Sequence, residues 1–98
     1  MKIDIKRENS KTVIKIDGRL DTTTAPELEE TIATDVSDKT NLVLDVKGME
    51  YVSSAGLRVL LAAQKKMSKH GTMKVVNVCP EVMEIFEITG FTEILTIE

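Results

Sequence analysis

The sequence reads as an α/β domain, a mixed β-sheet with helices packed on it, in the order β-β-α-β-α-β-α-β. The first sign is strict alternation. Met1-Lys2-Ile3-Asp4-Ile5-Lys6 and Thr12-Val13-Ile14-Lys15-Ile16-Asp17 each interleave apolar and polar residues, as half-exposed strands do. The second is the nearly continuous apolar run Asn41-Leu42-Val43-Leu44-Asp45-Val46, which suits the centre of a sheet. The third is a change of period beyond Ser53-Ser54. Leu57, Leu60, Leu61 and Met67, with Ala63 beside them, fall on one helical face.

Each element has its punctuation. Glu8-Asn9-Ser10-Lys11 is a short turn, so the two opening strands form a hairpin. Gly18-Arg19-Leu20-Asp21 breaks the second strand, and Thr22-Thr23-Thr24 then offers capping hydroxyls to a helix beginning near Ala25-Pro26. Thr24 and Glu27 have capping-box spacing. Leu28 and Ile32 mark that helix's inner face, and Ser37-Asp38-Lys39 ends it. The central strand turns at Lys47-Gly48 and delivers the two serines to the next helix, which stops at Gly71 behind Lys69 and His70. Thr72 to Val78 is another strand, Pro80 opens a third helix that Gly90 closes, and Ile94-Leu95-Thr96-Ile97 supplies a short final strand. No linker, repeat or low-complexity run interrupts this order, and residues 1–98 are read as one domain.

Composition narrows the function. A net charge of −3 with no dense cationic run argues against a nucleic-acid grip or an anionic-membrane anchor. The lone Cys79 excludes an internal disulfide, and no apolar segment is long enough to span a bilayer. The first residues do not resemble a signal peptide, so a cytoplasmic location is expected. Tyr51, Phe86 and Phe91 are the only aromatics, too few for base stacking or an aromatic cage.

Catalysis is disfavoured on chemical grounds. A serine nucleophile needs a base within hydrogen-bond reach. The only histidine, His70, lies in the same predicted helix, roughly 24 Å from Ser54 at about 1.5 Å of rise per residue. Ser-Ser-Ala-Gly is not a Gly-x-Ser-x-Gly elbow. One Cys and one His give no metal cluster, and both a Walker loop and a dinucleotide glycine motif are absent. No cofactor and no catalytic residue are expected. Met49, Met67, Met73 and Met83 read as core fillers, Cys79 as a small buried residue, and Lys65, Lys66 and Lys69 as a solvated helix face. The bland reading of Ser53-Ser54 is a helix N-cap. The alternative follows from the same physics, because free amides and the helix dipole at that position also favour a phosphate.

The surrounding residues favour the alternative. Tyr51-Val52-Ser53-Ser54-Ala55-Gly56-Leu57-Arg58-Val59-Leu60-Leu61 resembles the phosphorylation segment of STAS domains of the anti-sigma factor antagonist family. Gly18-Arg19-Leu20-Asp21, Leu44-Asp45, Asn77-Val78-Cys79-Pro80 and Ile88-Thr89-Gly90-Phe91 extend the likeness, in order, over nearly the whole chain. The resemblance implies a partner switch. The unmodified antagonist binds an anti-sigma factor that is also a serine kinase, phosphorylation releases it, and a serine phosphatase restores it.

In the family's motif the modified residue stands two places before the glycine, which here is Ser54, with Ser53 as the second choice. Asp21, Thr22, Ser53, Ser54, Gly56 and Arg58 are the expected partner-binding residues, on the reasoning that Asp21 lies at the same end of the sheet as Ser54. Two departures stand out. Ser53 occupies a position where many members carry Asp, and only eight residues follow Gly90 where members often add a helix. Two readings from other classes are a non-switching STAS scaffold subunit and a small-ligand or nucleotide sensor.

Overall fold

The computed structural model describes residues 1–98. Its elements are β1 (Lys2–Glu8), β2 (Lys11–Leu20), α1 (Ala25–Asp35), β3 (Asn41–Val52), α2 (Ser54–His70), β4 (Thr72–Val76) and α3 (Pro80–Thr89), followed by a 3-10 turn at Phe91–Glu93. This is the order read from the sequence. The closing strand takes its smallest form, a single parallel bridge between Val75 and Ile97.

The sheet runs β1-β2-β3-β4, with β1 antiparallel to β2 and the other neighbours parallel. The apolar β3 is therefore flanked on both sides, as its composition requires. Register places Ile3 beside Ile16, Ile5 beside Ile14, Ile14 beside Leu44, and Leu44 beside Val75 on one face. The helices cover that face, burying Leu28, Leu60, Met67 and Phe86 against it. The opposite face is open to solvent. It carries Lys2 opposite Asp17, Asp4 opposite Lys15, and Lys15 opposite Asp45. Met49, Met67 and Met73 are buried and Met83 half-buried, in keeping with their reading as fillers.

Two strands outrun their sequence boundaries. β2 continues through Gly18-Arg19 to Leu20, and β3 passes Lys47-Gly48 without turning. The pairing shifts between Lys15 and Asp17 and again between Gly18 and Arg19. At each shift β3 spends one residue more than β2, which is a bulge. The expected turn at Lys47-Gly48 is the first of these. Bulges disrupt alternation while keeping the strands paired, so the period-2 pattern fades before the strand ends.

The C-terminus of α1 shows a second departure. That helix has no basic residue in its own last turn. Lys66 of α2 instead reaches across and donates to the carbonyls of Ile32 and Val36, both at 2.7 Å. Arg7 of β1 donates to the Asp35 carbonyl from Nε at 3.2 Å and Nη2 at 3.0 Å. The orphan carbonyls of one helix are thus satisfied by cations from two other elements. Lys65 and Lys69 are exposed as expected, but Lys66 is half-buried and structural. Lys66→Met keeps the packing stem and removes both bonds. It should cost about 1–2 kcal/mol, whereas Lys65→Met should be silent, as urea midpoints will show.

Candidate functional site

The strand ends place the candidate residues. Leu20 and Val52 are register partners at the ends of β2 and β3. Immediately beyond them the Ser53 amide donates to the Leu20 carbonyl at 2.8 Å. The turn that begins at Asp21 and the helix that begins at Ser54 therefore leave the sheet side by side. Asp21 and Ser54 thus lie at the same end of the sheet, with Thr22 in the Asp21 turn and Ser53 at the start of the helix.

The two serines divide their roles. Ser53 is the N-cap, with extended backbone (φ −93°, ψ 175°), and its Oγ accepts from the Gly56 amide at 3.3 Å. Ser54 is the first helical residue and is exposed. The hydroxyl engaged at this helix start is Ser53's, so Ser54 holds the free one. A cap at Ser54 is ruled out by this geometry, since its backbone is already helical.

Gly56 is buried, so it lies under the site and not on its contact surface. A Cβ there would sit 2.7 Å from Leu20 Cγ, 2.9 Å from the Leu20 carbonyl oxygen and 2.9 Å from Val52 Cγ2. Glycine lets the first turn of α2 lie directly on the end of β2, which fixes the spacing between Ser54 and the Asp21 turn. Arg58, one helical turn beyond Ser54, is exposed.

The Asp21 turn is capped differently from the sequence reading. Thr24 is helical (φ −100°, ψ −21°) and makes no side-chain cap bond, so the Thr24–Glu27 capping box does not form. Its Oγ1 donates to the Arg19 carbonyl at 2.7 Å and accepts from the Asp21 amide at 2.8 Å. Asp21 takes over the capping. Its Oδ1 accepts from the amides of Thr23 at 3.0 Å and Thr24 at 3.2 Å, and from the Thr23 hydroxyl at 2.8 Å. The Thr23 hydroxyl is the main cause, with these amides and the Thr24 hydroxyl, of an Asp21 carboxyl held below its ordinary range. Asp21 is thus a fixed anion at the end of the sheet from which Ser54 starts its helix.

Two residues outside the expected partner-binding set complete this end. Arg19 stacks over the Tyr51 ring, 4.4 Å from its centroid, and lies 3.9 Å from Asp21 Oδ2. The second bulge makes Arg19 and Tyr51 register partners. No pattern in either strand announces this pairing, because it depends on where the bulges fall. Cys79, half-buried before α3, donates from Sγ to the Met49 carbonyl at 3.4 Å. His70 is the last residue of α2 and Ser54 its first, so no imidazole approaches the serines. No helix is long and apolar enough to cross a membrane.

A one-sided mixed sheet, with helices starting where the parallel strands end and a free serine at the start of one of them, defines the α/β class of this domain. The site is a surface and not a cleft. The STAS domain family model matches residues 2–98, and the chain belongs to that family. It is 28% identical over 96 residues to the anti-sigma-B factor antagonist of Bacillus subtilis, covering 97% of this chain and 88% of that protein. The crystal structure of an anti-sigma factor antagonist from Mycobacterium paratuberculosis superposes with a TM-score of 0.87 at 28% identity, over 98% of this chain and 83% of that one. The Bacillus cell fate determinant SpoIIAA, in its phosphorylated form, shares the fold with a TM-score of 0.73 at 15% identity, over 99% of this chain and 91% of that one.

Proposed function

We propose that this protein is an anti-sigma factor antagonist that works as a phosphorylation-controlled partner switch. Unmodified, it binds an anti-sigma factor that is also a serine kinase. Phosphorylation of Ser54 releases it, and a serine phosphatase resets it. The observation that carries this reading is the division of labour at the start of α2: Ser53 is spent on the cap, while Ser54 stands exposed beside the Asp21 turn. The relatives named as antagonists support the partner class, and the phosphorylated SpoIIAA supports the mode of control.

The docking surface is formed by Asp21, Thr22, Ser53, Ser54 and Arg58, with Gly56 beneath it as a spacer. The protein is the substrate of the kinase and supplies no catalytic group. Incubation with ATP and the anti-sigma kinases of the same genome, followed by peptide mapping, tests the site. Phosphate is expected on Ser54, and Ser54→Ala should abolish it. Phosphate on Ser53, or normal phosphorylation of the Ser54→Ala variant, would overturn the assignment.

A further inference from the structure

We propose that Arg58 is an internal clamp for the phosphate on Ser54, an inference that rests on the phosphorylation of Ser54 argued above. The two residues are four apart on α2, so they share a face one turn apart, with Cβ atoms about 5–6 Å from each other. Both are exposed, so neither must leave a packed position to meet the other. The acidic group stands N-terminal to the basic one, which is the favourable order for such a pair.

Arg58 is also available. The ion pairs of the protein are Arg7–Asp35, Arg19–Asp21 and Lys74–Glu98, and none of them uses it. The first turn of α2 holds no carboxylate that could compete for it. Asp21, on the adjoining turn, is committed to Thr23, Thr24 and Arg19. A guanidinium suits the task because its planar fork can meet two phosphate oxygens at once.

The clamp changes what phosphorylation does. Besides adding negative charge, it withdraws from the docking surface the one exposed cation of the first two turns of α2. In the unmodified protein Arg58 is free to meet an acidic group of the partner. After modification it faces its own phosphate.

The test needs neither kinase nor partner. Phosphoserine is installed at position 54 during synthesis, in the otherwise native chain and in Arg58→Met and Arg58→Lys variants. The second ionisation of the phosphate is then followed by phosphorus NMR. It should fall at a pH lower by about 0.3 or more with arginine than with methionine, and lysine should restore part of the difference. Loss of the helix-start environment cannot mimic this pattern, because the same amides face the phosphate in all three proteins. Equal titrations with arginine and methionine would overturn the clamp. Since the phosphate is built in, that failure is separate from a kinase that modifies some other residue, which would overturn the reading of Ser54 instead.

Discussion

Phosphate on Ser54 will lower affinity for the anti-sigma partner by about 100-fold or more while scarcely moving the unfolding midpoint. The two effects separate because the modified hydroxyl supports nothing in the fold. Ser53 keeps the cap, and the new oxygens face a helix start whose dipole favours anions by about 0.3–1 kcal/mol. Stability should therefore change by no more than roughly 1 kcal/mol. At the interface the same group adds about −1.5 to −2 charges beside the fixed carboxylate of Asp21. A buried, imperfectly paired dianion there costs several kcal/mol, and about 2.7 kcal/mol already corresponds to 100-fold.

Alanine variants sharpen the contrast. Ser54→Ala should bind normally and fold normally. Ser53→Ala should lose about 0.5–2 kcal/mol of stability through its cap. Ser54→Asp should weaken binding only in part, since it brings one charge and fewer acceptor oxygens. Denaturant midpoints, and titration calorimetry with the proposed anti-sigma partner, check all of these. Unchanged affinity after phosphorylation, or a fall that merely follows unfolding, would sink the switch.

Gly71→Ala should be the most damaging single-methyl substitution, costing about 3 kcal/mol, at the upper end for overpacking. The backbone there is extended (φ −136°, ψ −154°) and would accept any residue. Space is what fails. A Cβ would run into the Thr40 carbonyl oxygen and come within 3.0 Å of the Asp38 carbonyl oxygen and 3.1 Å of Met67 Cε. The obstacles are mainly main-chain atoms of the α1–β3 connection, which cannot rotate aside as a side chain would. Gly90 makes the useful control. It has φ +80° and open space around its Cβ position, so Gly90→Ala should cost only about 1–2 kcal/mol, for the left-handed backbone. Urea midpoints of the two variants rank the causes. A Gly71→Ala protein as stable as Gly90→Ala would mean that the connection yields.

Both glycines were legible as helix stops, although the sequence could not say that they stop for different reasons. What was readable throughout was whatever depends on period and sign. The alternation of β1 and the first half of β2, the apolar β3, and the helical spacing from Leu57 to Met67 all reappear in the structure. What was not readable depends on contacts between distant segments. Lys66 resembles Lys65 and Lys69 until α1 is laid beside it. Thr24 has the spacing of a capping residue, but Asp21 outcompetes it by reaching two amides and a hydroxyl. The proposed site was legible only as a location, since strand order alone puts Asp21 and Ser54 at the same end of the sheet. Which serine caps and which is free was not, because a one-residue difference in where the helix starts leaves no mark in the pattern.

The solvent-facing side of the sheet also acts as a check on strand alignment. A two-residue slip of β1 along β2 would keep the isoleucines on the core side, so burial discriminates weakly against it. On the outer side the slip is rejected in either direction. One shift sets Asp4 against Asp17 and Lys6 against Lys15, and the other sets Lys2 against Lys15 and Lys6 against Lys11, where the native alignment pairs Lys2 with Asp17 and Asp4 with Lys15. Like charges directly opposite one another are destabilising, and opposite charges are favourable. Exposed charges outside the core thus proofread the hairpin as it forms.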